Sequence, residues 1–210
     1  MSSPERLIEG FRRFREQHFT ENDALYRQLV TEGQAPKIMV VACCDARVDP
    51  AIVLDCAPGD LFVIRNVANL VPPAESRNSG RHGTSAALEF GVCNLGVEHI
   101  IILGHAHCGG IRSLFGEKRG ESDSYINSWM RMAEEVHAQV LHDLPAASSQ
   151  QQMMICEQRA ILVSLNNLMT FPWVRQRVES GALTLHGWYF DIEHGQMMQY
   201  QQASRAFEAL

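Results

Sequence analysis

Two short stretches of this 210-residue chain carry side chains able to hold a soft metal. The run "ILGHAHCGG" (102–110) places His105, His107 and Cys108 directly after buried-type aliphatics, in a turn too rich in glycine to be packed core. The run "VACCDARV" (41–48) places Cys43 behind a second aliphatic set. His105 and Cys108 have H-x-x-C spacing, a weak signal by itself, and Cys43 adds a third soft donor. Zinc is bound by cysteine thiolate and histidine imidazole, and a Cys2His set leaves one tetrahedral position open for chemistry. Two thiolates make such a metal less electrophilic than three imidazoles would, so the surrounding groups matter more. Asp45 and Arg47 lie two residues apart in an extended segment and so point to one side, where a fork–carboxylate pair is natural. Arg47 would keep Asp45 ionised and oriented to accept a proton or hydrogen bond from water at the metal. Released by Arg47, the same carboxylate could close the site as a fourth ligand.

Positioning these residues is the work of the elements before them. "KIMVVAC" (37–43), "LFVIRNV" (61–67) and "VEHIIIL" (97–103) are continuous apolar, β-branched runs, the mark of strands buried on both faces. "ALTLHGWYFDI" (182–192) is a last strand, with "EHGQ" as its hairpin-like exit. Between them lie helical segments. One opens with Asp49 as cap and Pro50 at the first helical position. Another spans 84–96, with Thr84 as cap and Gly96 as terminator. Two more fit 124–141 and 151–169, stopped at Pro172. Leu7–Phe14 shows amphipathic spacing, and a short helix follows at 23–32. The expectation is an α/β fold. A mostly parallel β-sheet of about four inner strands plus a C-terminal edge strand is flanked by helices, with an N-terminal helical arm. One domain covers 1–210, divided into an arm at 1–34 and an α/β zinc core at 35–210. Sites in such sheets form beyond the carboxyl ends of strands, where both Cys43 and His105 fall.

Composition narrows the function. Hydrophobic residues make up 46% and charged residues 20%, with a net charge of −6 and no basic block, which argues against a nucleic-acid partner. The opening "MSSPERLIEGFRRFREQHF" scatters charge through its apolar positions, and no long apolar run follows. The expectation is a cytoplasmic chain with no membrane span. Six cysteines in such a chain point to metal binding or burial rather than disulfides. Cys56, Cys93 and Cys156 are expected to be small buried hydrophobes.

"ACCDARV" followed about sixty residues later by "GHAHCGG", with "GQAPKIMVVACCDARV", "PGDLFVIRNVANLVPP", "SAALEFGV" and "GWYFDI" in order, resembles the β-class carbonic anhydrases. The resemblance runs from about Leu25 to Ile192. It implies one Zn2+ per subunit held by Cys43, His105 and Cys108, the catalytic dyad Asp45–Arg47, and His107 as a bystander. It implies a substrate pocket formed by Gln34, Phe62, Val67 and Phe90, with the Gly109 N–H steadying the bound anion. Phe90 departs from the tyrosine many relatives carry. Val40 replaces the tryptophan of the bicarbonate-inhibited type, although Arg65 is retained, which favours the type with an open zinc position. The implied reaction is reversible hydration of CO2 to bicarbonate and a proton by hydroxide formed on zinc. His18, His82, His137 and His142 are the candidate proton shuttles. A homodimer or dimer-based oligomer with pocket residues from the neighbouring chain is also implied. Hydrolysis of carbonyl sulfide or carbon disulfide on the same ligands, or a structural zinc module, are the competing functions.

Overall fold

The computed structural model describes residues 4–21, 23–75, 82–116 and 124–210. The arm comes first, as α1 (Pro4–Arg15), a wider turn (Glu16–Glu21) and α2 (Ala24–Glu32). Then follow β1 (Ile38–Cys43), α3 (Pro50–Val53), β2 (Leu61–Asn66) and a single tight turn at Val67–Asn69. Next are α4 (Gly83–Glu89), β3 (His99–His105), α5 (Gly109–Arg112), α6 (Tyr125–Met130) and α7 (Glu134–Asp143). The chain closes with α8 (Ser149–Leu168), α9 (Pro172–Glu179), β4 (Thr184–Asp191), β5 (Gln196–Gln201) and β6 (Ala206–Ala209).

The six strands form one sheet in the order β2-β1-β3-β4-β5-β6. The first four are parallel, and β5 and β6 return antiparallel. The sheet is thus mostly parallel and flanked by helices, as its aliphatic runs predict. Several expectations need correction. β2 lies at an edge rather than inside, and the opposite edge is β6, because "QMMQYQ" pairs as β5 without an apolar run to announce it. The third strand runs over 99–105 instead of 97–103. The N–H groups of Glu98 and His99 bond Lys37 O, so sheet pairing starts at Ile38 opposite His99 and carries His105 into the strand. Pro172 opens a helix as well as ending one, since its fixed φ suits the first helical position of α9. Thr84 is no cap: α4 begins at Gly83, and the Thr84 hydroxyl takes a hydrogen bond from Asn66 instead. The segment 124–141 divides into α6 and α7 across a tight turn at Arg131–Ala133.

Local chemistry explains the parts that match. Asp49 accepts the Ala51 N–H ahead of Pro50, and Gly96 takes the left-handed conformation (φ 69°) that ends its helical segment. One sheet face buries Met39, Val41, Ile100 and Ile102 against Leu88, Val92, Ile161 and Leu168. The other carries Val40, Ala42, Ile101 and Leu103 with Trp188 and Phe190. A third apolar cluster gathers at the carboxyl ends of the strands and holds Cys43, Ala68, Cys108, Ile111, Met130 and Ala160. α8 comes close to the sheet where the strands lack side chains: a Cβ at Gly104 of β3 would stand 2.7 Å from Ile161 Cδ1, and one at Gly187 of β4 3.0 Å from Ile161 Cγ2. The arm contrasts with this core. α1 has no buried residue, and Leu7, Ile8 and Phe11 are exposed. Among the described residues no helix is long and apolar enough to cross a membrane. Cys156 is buried as expected, but Cys93 is exposed on the outward side of the helical segment Phe90–Leu95, and Cys56 is half-buried in the loop after α3.

Candidate metal centre

Adjacent parallel strands end side by side here. β1 delivers Cys43 as its last residue, β3 delivers His105 as its last residue, and the turn after β3 returns Cys108 at the start of α5. All three are buried, and the two sulfurs and a ring nitrogen of His105 lie within 4.8 Å of one another. Cys43 Sγ and Cys108 Sγ are 3.9 Å apart. Two zinc–sulfur bonds of about 2.3 Å at a tetrahedral angle would set that separation at about 3.8 Å. His105 Nδ1 bonds Ala106 O at 2.9 Å, while its buried Nε2 has no hydrogen-bond partner among the described residues. A buried nitrogen unpaired within the protein and set beside two sulfurs is suited to a metal, and the donor set fits zinc.

The electrostatics agree. The hydrogen bond from Cys108 lowers the Cys43 pKa to about 4 against the opposing effect of burial, with help from His105 and the N–H groups of Asp45 and Ala68. The same hydrogen bond, with burial, pushes Cys108 up, against the N–H groups of Ile111 and Gly110. The two sulfurs oppose each other's ionisation, and a dication between them would allow both to ionise. Burial acts to lower the His105 pKa, but the neighbouring Cys43 outweighs it and raises it. Backbone N–H groups aimed at both sulfurs draw charge off the thiolates, which offsets the weaker electrophilicity expected of a Cys2His set.

One of those N–H groups comes from a strained turn. Ala68 (φ 61°) and Asn69 (φ 48°) both adopt the left-handed region, at about 1–2 kcal/mol per residue. Trp129 Nε1 donates to Val67 O at 2.8 Å and Ser164 Oγ donates to Asn69 O at 3.1 Å, so neighbouring helices lock the turn against Cys43.

Asp45 and Arg47 form the expected fork. Arg47 Nε and Nη2 donate to Asp45 Oδ1 and Oδ2 at 2.9 and 2.7 Å, and the Arg47 N–H adds a third bond at 3.0 Å. The side chains are 53% and 16% exposed for Arg47 and Asp45, and Asp45 Oδ2 stands 4.0 Å from His105 Nε2. The Arg47 hydrogen bond holds the Asp45 carboxyl well below the usual carboxylate range. Arg47 Nη2 also donates to His107 O at 3.0 Å, which ties the dyad to the turn between His105 and Cys108. The His107 side chain turns away to Glu193 at 2.9 Å, so its backbone serves the site and its ring does not. Arg65 clamps the other side by donating to Cys43 O, Asp45 O and Asp49 Oδ2.

The pocket residues divide. Val67 packs against Gly110, next to Cys108, and Gly109 is exposed at the start of α5. Phe62 pairs with Met39, four rungs before Cys43, hence about 13 Å down the strand. Its ring stacks on Phe90 at 5.9 Å, and Phe90 is 44% exposed. Gln34 is exposed in the loop before β1. These three lie toward the amino end of the sheet, away from Cys43, His105 and Cys108 of the same chain. The four candidate shuttles are engaged elsewhere: His18 packs on Phe14, His82 is 3.6 Å from Glu75, His137 packs on Phe115 and His142 is 3.3 Å from Asp143.

Two residues were not foreseen. Glu157 on α8 is 3% exposed; its Oε1 accepts the Cys108 N–H at 2.9 Å and its Oε2 accepts the Tyr189 hydroxyl at 2.8 Å. Burial raises the Glu157 pKa against these two hydrogen bonds. The one signal available was an acid on the core-facing stripe of a long helix.

Known proteins carry the same frame. The carbonic anhydrase family model matches residues 38–197. A carbonic anhydrase from Synechocystis is 35% identical over 206 residues, covering 98% of this chain and 74% of the relative. The chloroplastic beta carbonic anhydrase 5 of Arabidopsis thaliana is 40% identical over 187 residues, covering 89% of this chain and 61% of the relative. The solved β-carbonic anhydrase CcaA superposes with a TM-score of 0.90 at 34% identity, covering 100% of both chains. A tetrameric β-carbonic anhydrase of Sordaria macrospora gives 0.76 at 27% identity, covering 93% of this chain and 92% of the other. With the matched region spanning both halves of the metal centre, the chain belongs to the β-class carbonic anhydrases.

Proposed function

We propose that this chain catalyses the reversible hydration of CO2 to bicarbonate and a proton, with one zinc ion per chain on Cys43, His105 and Cys108. The observation that carries this is the convergence of three buried soft donors beside a carboxylate that arginine keeps from becoming a fourth ligand. Held by these three residues, zinc would supply a Lewis acid that makes hydroxide available near neutral pH.

The chain's own residues do the rest. Asp45, ionised and held by three hydrogen bonds, can only accept. It orients a proton-bearing oxygen beside the donors, and it favours bicarbonate bound through its hydroxyl over an anion with no proton to offer. Arg47 keeps that carboxylate in place and charged. Val67 offers CO2 an apolar wall, and the Gly109 N–H can donate to a bicarbonate oxygen. The fork also argues against a structural zinc module, since structural sites close with four protein ligands. Val40 is fully buried, and three donors of Arg65 are spent on Cys43, Asp45 and Asp49, which favours the type with an open position over the bicarbonate-inhibited one.

We read the active form as a homodimer or a dimer-based oligomer in which Gln34, Phe62 and Phe90 serve a neighbouring chain's site. Their distance from this chain's ligands and the bare apolar face of α1 support it. A thiolate centre needs reduced sulfur, which suits the cytoplasm. The test is stopped-flow CO2 hydration from about pH 6.5 to 9 with zinc content measured on the same sample, and carbonyl sulfide run alongside. Fast hydration at one zinc per chain is expected. Zinc-loaded protein that hydrates no CO2 but hydrolyses carbonyl sulfide would overturn the substrate, and inactive zinc-loaded protein would overturn the enzyme.

A further inference from the structure

Glu157 is a carboxylate where the surroundings call for none. It lies on the α8 face that packs on β3 and β4, beside Cys156, Ala160 and Ile161 in the apolar clusters. Its two oxygens are each used once, by the Cys108 N–H and the Tyr189 hydroxyl. Among the described residues neither hydrogen-bond partner of the carboxylate is a lysine or an arginine. A buried carboxylate with neutral partners is poor packing, and a well-fitted apolar residue is commonly neutral or stabilising at such a place. Its position therefore needs another reason, and its contacts supply one. The Cys108 N–H belongs to the residue that caps α5 and carries one of the two sulfurs, and that sulfur depends on this backbone to meet the N–H groups of Gly110 and Ile111.

We propose that Glu157 is a positioning residue for the metal: it fixes the Cys108 backbone so that the thiolate faces the metal, and it places a negative charge behind that thiolate. Tyr189 holds the carboxylate in register. This rests on the zinc reading above. A dication, two thiolates and a neutral imidazole sum to no net charge, and Asp45 and Arg47 cancel each other. With a donor on each oxygen, the ionised Glu157 adds one negative charge behind this neutral set, and its field favours binding of the dication. Outer groups of this kind typically change metal affinity by about 10–100-fold.

The test compares wild type, Glu157→Gln and Glu157→Leu for zinc affinity by competition with a chelator, and for the thiolate charge-transfer absorption of the cobalt-substituted protein. Glu157→Gln keeps shape and an acceptor but removes the charge; it should weaken zinc binding about 10-fold and shift the cobalt band, with the fold intact by circular dichroism. Glu157→Leu also removes the acceptor and should weaken it toward 100-fold. Wild-type affinity and an unshifted band in both variants, with only the melting temperature changed, would overturn the inference and leave the zinc reading standing. Wild-type protein that retains no zinc would overturn both. Should Glu157→Gln not fold, Tyr189→Phe carries the test: it keeps the charge and frees one oxygen, and an unchanged affinity and band would overturn the inference.

Discussion

The metal centre has two sides, and they are built on opposite principles. In front, Asp45 and Arg47 come from one short segment, meet near solvent and cancel in charge. Behind, Glu157 and Tyr189 come from α8 and β4 and meet in the core, where the carboxylate's hydrogen-bond partners are a backbone N–H and a hydroxyl. An exposed ion pair contributes little to stability, typically under about 1 kcal/mol, because water screens it. What the front gains from its fork is direction: a carboxylate that only accepts, held beside the reacting position. A buried group works the other way, since nothing screens it and each lost contact leaves a polar atom unpaired. Variants in front should therefore change chemistry with the metal retained, and variants behind should loosen the metal itself.

The largest effect should come from the ligand both sides share. Cys108→Ala is expected to abolish stoichiometric zinc and bring CO2 hydration to background, measured by metal analysis and stopped flow. Next, Asp45→Asn should keep one zinc per chain yet lose about 100-fold or more in kcat/KM, the scale of a positioned proton acceptor. If it lost its zinc instead, front and back would not be separable. Gly110→Ala tests the wall between them. Its new Cβ would stand 2.8 Å from Val67 Cγ1 and 3.0 Å from Ala68 Cβ, pressing on the strained turn that serves Cys43. A loss of about 1–3 kcal/mol is expected in urea denaturation. The smallest effect concerns acid. Asp45 has its carboxyl pKa depressed by Arg47 in the folded state, so its stabilisation is complete well above the unfolded value near ~3.9 and is lost progressively as pH falls from there through the lower folded one. The stability difference between wild type and Asp45→Asn should accordingly stay flat from about pH 9 to 5 and shrink only in stronger acid.

Short-range chemistry was legible in the residues themselves. The aliphatic runs specify β1, β2, β3 and β4, Asp49–Pro50 starts α3, and Gly96 ends its helical segment, because each depends on neighbours within a turn or two. The Asp45–Arg47 fork and the His105–Cys108 spacing belong to the same class. Strand order did not, since pairing is chosen by which faces the helices cover; that choice puts β2 at an edge and lets polar "QMMQYQ" become β5. The meeting of Cys43 with His105 was hinted at by two strand ends and decided only when β1 and β3 became neighbours. The left-handed turn at Ala68 carries no glycine to announce it and survives because Trp129 and Ser164 hold it from distant helices. The sequence by itself determined which atoms could bind a metal and orient water beside it. Packing alone decided that a carboxylate 49 residues beyond Cys108 would stand behind its thiolate, and that Phe62 and Phe90 would lie far from this chain's own site. Spacing along a chain constrains only what a few bonds connect, and everything farther apart meets where burial brings it.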